Sequence, residues 1–125
     1  MSYDEPLAER VRQLVARYPK ATEKAMFGGV CFMLNGHMCV GIARDDLMVR
    51  VGPDAYEHAL GQRHARPMDF TGRPMRGYVF VEPDGCRDRR ALERWITRAV
   101  DFVSTLPAKP SGPTRARRGA GRTRR

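Results

Sequence analysis

The chain has 125 residues, 42% of them hydrophobic and 30% charged, which suits one ordinary core and leaves too little length for two. No apolar run approaches the roughly 20 residues of a membrane helix, and Met1-Ser2-Tyr3-Asp4-Glu5-Pro6 lacks the basic-then-apolar build of a secretory signal, so a cytoplasmic location away from any membrane is expected. Seven of the nine net positive charges lie after Pro107, at Lys109, Arg115, Arg117, Arg118, Arg122, Arg124 and Arg125 with no acid among them, which leaves only +2 for residues 1–106.

An opening helix is predicted from Pro6, a residue suited to a first helical turn. Leu7, Val11, Leu14, Val15 and Tyr18 recur at the spacing of one apolar helical face, Glu9, Arg10, Arg12, Gln13 and Arg17 occupy the other, and Pro19 ends the run. Ala21 to Met26 is ambiguous, with Thr22 a candidate cap for a short turn.

From Lys24 to Val51 the pattern is that of three short strands in a meander. Asn35-Gly36 reads as a two-residue turn of the primed type, which pairs Leu34 with His37, Met33 with Met38, Phe32 with Cys39 and Cys31 with Val40. That register puts Cys31, Met33, Met38, Val40 and Ile42 on one apolar face, the expected core side, continued by Leu47, Val49 and Val51. Cys31 and Cys39 then point to opposite faces and form no disulfide.

Gly52-Pro53 breaks the third strand, and Pro53 can start a short helix through about Leu60, closed by Gly61. Asp54 and Glu57 lie in its first turns, where the helix dipole favours them. Arg66 to Phe70 reads as strand or loop, Thr71 to Gly77 as a turn, and Tyr78-Val79-Phe80-Val81 as a strand closed by Pro83-Asp84-Gly85. The last element is a helix capped by Asp88, in which Leu92, Trp95, Ile96, Ala99, Val100, Phe102, Val103 and Leu106 form a broad stripe. Trp95 is its largest single contribution to burial. Residues 107–125 hold prolines, glycines and cations but no large apolar side chain, so they are expected to be a disordered basic tail. The fold class is therefore α+β, an antiparallel sheet with a meander core packed by N-terminal and C-terminal helices; residues 1–106 form the domain.

Lys24-Ala25-Met26-Phe27-Gly28-Gly29, followed by Phe32, the Asn35-Gly36 turn, the Met38 to Ile42 strand and Leu47 to Val51, resembles the N-terminal domain of the TfoX/Sxy family of bacterial competence regulators. Phe70, Gly77-Tyr78 and Trp95 in a final helix extend the likeness over roughly residues 5 to 105. Lys24, Met26, Phe27, Gly28 and Gly29 carry its most specific motif. The resemblance implies an α+β fold, involvement in transcriptional control of DNA uptake in full-length members, and neither catalytic residues nor a cofactor. Full-length regulators carry a second, helical domain; here the basic tail follows Leu106, so the likeness is to the stand-alone N-terminal form.

The residues that can carry chemistry read mostly as structure. Gly28-Gly29 beside Lys24 can cradle an anion, but the phosphate-loop spacing is missing, and glycine at a strand entrance is the plainer account. His37, Cys39, His58 and His64 lack metal-ligand spacing. Cys31 and Cys39 read as strand packing residues and Cys86 as part of a turn, and an odd number of cysteines without paired spacing suits reduced thiols. Asp45-Asp46 reads as a turn pair.

The leading expectation is a non-catalytic interaction domain with a protein partner in transcription regulation and sequence-independent nucleic-acid contact through the tail. No aromatic residue lies in the tail to stack on bases. The alternative is a folded domain that reads DNA or RNA itself, which requires a basic face on the domain; Arg63, Arg66, Arg73 and Arg76 scattered or paired with acids count heavily against it. A small enzyme is the third reading, without a supporting constellation. A free sheet edge offers a route to a homodimer.

Overall fold

A computed structural model describes residues 3–26, 28–68 and 75–107. The elements are α1 (Glu5–Val15), β1 (Ala21–Met26), β2 (Gly29–Leu34), β3 (His37–Ala43), β4 (Asp46–Arg50), α2 (Tyr56–Leu60), β5 (Ala65–Pro67), β6 (Tyr78–Val81), a 3-10 turn at Pro83–Gly85, and α3 (Arg89–Val103). The six strands form one antiparallel sheet in the order β1-β2-β3-β4-β6-β5. Helices α1 and α3 pack on the same face of it, and α2 packs against β5 and β6. Among the described residues no helix is long and apolar enough to cross a membrane.

Both long helices are capped by aspartate, Asp88 as the sequence suggests and Asp4 in addition. Asp4 Oδ1 accepts from the Leu7 amide at 3.0 Å and Asp88 Oδ2 from the Ala91 amide at 3.1 Å, each satisfying one of the donors a helix start leaves orphaned. The Asp4 amide also donates to the Arg44 carbonyl at 2.7 Å, tying the start of α1 to the β3–β4 turn. Helix α1 ends at Val15, one turn before Tyr18, and α2 starts at Tyr56 rather than at Pro53.

The β2–β3 turn is the predicted one: Asn35 and Gly36 have φ of 55° and 84°, both positive as a primed turn requires. Leu34 faces His37 and Met33 faces Met38 as expected, but Phe32 then pairs with Val40 and Cys31 with Gly41. Cys39 is the extra residue of a β-bulge, and beyond a bulge the side-chain alternation of one strand changes parity against its neighbour. The expected core face is therefore corrected. Val40, Ile42, Leu47, Val49 and Val51 do face the helices, joined by Val30, Phe32, Leu34 and Cys39. Cys31, Met33 and Met38 lie on the opposite face, in a second cluster with Met48, Met68, Met75, Tyr78 and Phe80. Both sheet faces are apolar, so hydrophobicity alone did not mark which one the helices cover.

The ambiguous stretch before the meander is strand β1, paired to β2 over its whole length. Its side chains from Thr22 to Ala25 are exposed, so it carries no apolar alternation to announce itself, and pairing with β2 decides its conformation. Arg12 joins this edge to α1, reaching Glu23 at 2.8 Å and also Glu9. That contact holds the Glu23 carboxyl below its ordinary value. At the other edge, the undecided Arg66 region contributes only Ala65–Pro67 as a strand.

Candidate functional site

Helix α3 is amphipathic because Leu92, Trp95, Ile96, Ala99 and Val103 must all reach the sheet. The same periodicity that buries them aligns Arg90, Arg94 and Arg98, four residues apart, on the outward side. They line a shallow surface groove with Glu93, Thr97 and Asp101. Glu93 is already engaged by Arg17 of the segment after α1, at 3.0 Å.

A second cleft of about 290 Å³ adjoins this stripe, and Arg94 and Arg98 line both. Gln62, Arg63 and His64 from the α2–β5 connection form its far wall, and Trp95 and Gly85 are among the residues that close it. Gly85 makes that approach possible: a Cβ there would lie 2.9 Å from His64 Cβ and 2.6 Å from Val81 Cγ1. The Glu82 amide fixes the same loop by donating to the His64 carbonyl at 2.8 Å. Among the described residues the side chains of Arg63, Arg90 and Arg94 take part in no ion pair or hydrogen bond. Arg98 lies over the Trp95 ring at 5.0 Å, a cation–π contact that leaves its N–H edge available.

Several other cations of the domain are engaged. Arg66 forms a short hydrogen bond to Asp46, reaches Glu82 at 3.5 Å and stacks over Phe80 at 4.9 Å, joining β4, β5 and the end of β6. Burial raises the Asp46 carboxyl above its ordinary value and Arg66 pulls it back. Arg76 is 3.8 Å from Glu57, and Arg50 lies between the Tyr78 and Phe102 rings. The basic face expected at Arg63, Arg66, Arg73 and Arg76 is thus not formed as a unit: Arg66 and Arg76 are paired with acids, Arg63 stands apart beside α3, and Arg73 lies outside the described residues. The α3 stripe escaped the sequence reading, which used that helix only for its apolar side. Its spacing of four residues was the available signal.

The motif residues take structural places. Lys24 is exposed on β1, and Met26 pairs with Gly29 across the β1–β2 connection, where Gly28 has φ of 74°. At Gly29 a Cβ would come within 1.9 Å of the Ile42 carbonyl oxygen, so the backbones of β2 and β3 approach as only glycine permits. Phe27, Phe70 and the tail cations Lys109, Arg115, Arg117, Arg118, Arg122, Arg124 and Arg125 lie outside the described residues.

Cys31, Cys39 and Cys86 are free and buried. Cys31 belongs to the far-face cluster and Cys39 to the helix-side core, the opposite placement that was expected. Burial raises the Cys31 thiol to about 11 and those of Cys39 and Cys86 to about 12, the wrong direction for a nucleophile. Among the described residues no three His, Cys, Asp or Glu side chains gather in a way that can hold a metal ion.

Residues 13–103 match the TfoX N-terminal domain family model. The chain belongs to the TfoX N-terminal domain family. The match spans the structure from the last turn of α1 to the last residue of α3, so the six-stranded sheet and the α3 stripe lie wholly within this TfoX N-terminal domain. A comparison with curated proteins returns no match.

Proposed function

We propose that this TfoX N-terminal domain is a non-catalytic docking module of transcription regulation in the bacterial cytoplasm, and that its basic tail makes sequence-independent contact with nucleic acid. The observation that carries the first part is the family match across residues 13–103, a family resembling competence regulators. The character of the polar groups supports it. The thiols are buried and held protonated, and Asp46, Glu82 and Asp84 are taken up by Arg66 and Arg87. The clefts they line are open surface grooves, without the enclosed, convergent polar groups of a reaction site. The second part rests on seven cations without an acid between Pro107 and Arg125, a density that attracts phosphate backbones with strong salt dependence.

The test is affinity capture from a bacterial lysate, with and without nuclease, using the intact protein and a full-length variant whose seven tail cations are glutamine. A protein of the transcription machinery retained by both chains after nuclease supports the docking role. Nucleic acid retained by the intact chain and reduced on the variant supports the tail's role. Capture of neither by the intact chain refutes the reading.

A further inference from the structure

We infer that the outward face of α3, with Arg90, Arg94 and Arg98 in line and Arg63 beside them, is a docking surface for the phosphate backbone of duplex nucleic acid. This rests on the nucleic-acid contact proposed above, and moves part of it from the tail into the folded domain.

Four observations select this occupant. Arg63, Arg90 and Arg94 have no ion-pair partner among the described residues, nor have Lys20, Lys24, Arg44 and Arg89, but Arg90 and Arg94 share one groove and Arg63 and Arg94 the adjoining cleft, while Arg12, Arg17, Arg66, Arg76 and Arg87 are each paired with an acid. Unpaired guanidiniums kept side by side repel one another, a cost that an anionic partner reverses. Next, from Arg90 to Arg98 the row runs about 12 Å along the helix at about 1.5 Å per residue. Neighbouring arginines are thus about 6 Å apart along the helix, against one charge about every 3.4 Å of axis on a duplex strand, so a row laid along one strand meets about every second phosphate. Third, the cleft beside the stripe exposes no large aromatic ring among the described residues. Trp95, the only large aromatic ring among the described residues lining the cleft, is 6% exposed and roofed by Arg98. It offers no stacking platform to single-stranded bases and no apolar anchor to a protein interface. Finally, α3 ends at Val103 and the tail cations begin at Lys109, so stripe and tail are consecutive along the chain.

The stripe reads no bases in this account; it supplies register and charge, and the expected binding is sequence-independent. Binding to a short labelled duplex of arbitrary sequence, followed by anisotropy over a sodium chloride series, tests it with full-length proteins. The triple variant R63Q/R90Q/R94Q removes three cations from the stripe, leaves Arg98 on Trp95, and touches no ion pair of the described residues. K20Q/R44Q/R76Q removes the same charge from elsewhere on the domain. With about 0.9 counterions released per phosphate contact, the stripe variant lowers the slope of log K against log salt by about 2–3 and weakens binding roughly tenfold or more. The control variant changes the slope by less than about 1. Equal effects of the two triple variants overturn the inference, as does preference of the intact protein for a poly-glutamate peptide or for single-stranded DNA over the duplex. The variant with a neutral tail separates the two readings. If it binds like the intact chain while the stripe variant does not, the tail's role fails and the stripe's stands; the reverse pattern refutes the stripe and keeps the tail.

Discussion

Alkaline pH destabilises this domain through its buried thiols. Unfolded, a cysteine titrates near the ordinary value of 9.0; folded, burial holds Cys31 protonated to about 11 and Cys39 and Cys86 to about 12. Because the folded pKa lies above the unfolded one, the folded chain keeps more protons above pH 9, unfolding releases them, and stability falls as pH rises from about 9 toward 12. One pH unit above the unfolded value corresponds to about 1.4 kcal/mol per thiol, so the three together remove about 4 kcal/mol by pH 10, against a typical total of about 5–15 kcal/mol. Urea unfolding under reducing conditions from pH 7 to 10 measures the loss. Tyrosine and lysine titration contribute to the same curve, so the comparison is with Cys39→Val and Cys86→Ala. Each variant is less stable than the parent at pH 7, and the gap narrows by about 1.4 kcal/mol at pH 10. Curves that stay parallel from pH 8 to 10 refute the reasoning.

Three further outcomes are expected. Gly29→Ala forces a methyl against the Ile42 carbonyl and costs about 1–3 kcal/mol or more by prising β2 from β3; a melting temperature equal to the parent's contradicts the close approach. Arg66→Met strips the charge partner from half-buried Asp46 and costs about 1–2 kcal/mol at pH 7. Since burial already raises the Asp46 carboxyl and the loss of Arg66 raises it further, the deficit shrinks as pH falls and Asp46 is protonated; an equal deficit at pH 7 and at pH 4 counts against this. Asp88→Ala removes the α3 cap and costs about 1 kcal/mol, measured by chemical denaturation, whereas Asp88→Asn is close to neutral.

The α3 reading succeeded for cap and stripe, which are local, although the helix stops at Val103 and leaves Leu106 beyond it: Asp88 lies three residues before the amide it accepts from, and the apolar residues recur once per turn. The Asn35-Gly36 turn was legible for the same reason. The strand face was not. A sequence with apolar residues at almost every position of β2 and β3 gives no contrast between faces, and a single bulged residue, Cys39, then decides which half of each strand meets the helices. Strand β1 was missed because an exposed edge strand needs no apolar alternation; its backbone hydrogen bonds to β2 hold it. The candidate surface divides in the same way. Arg90, Arg94 and Arg98 share a helix face by spacing alone, whereas Arg63 arrives beside them only because the α2–β5 connection packs over Gly85.

The order of residues was sufficient for the two long helices, the Asp88 cap, the first hairpin turn, the family and the segregation of charge into the tail, since each depends on neighbours a few positions apart. Folding decided the sheet order, the bulge, the two-sided core, the pairing of Arg66 and Arg76 with acids, and the exposure of the unpaired arginines. Those features depend on which distant segments meet, and the contacts that select them exist only in the assembled sheet.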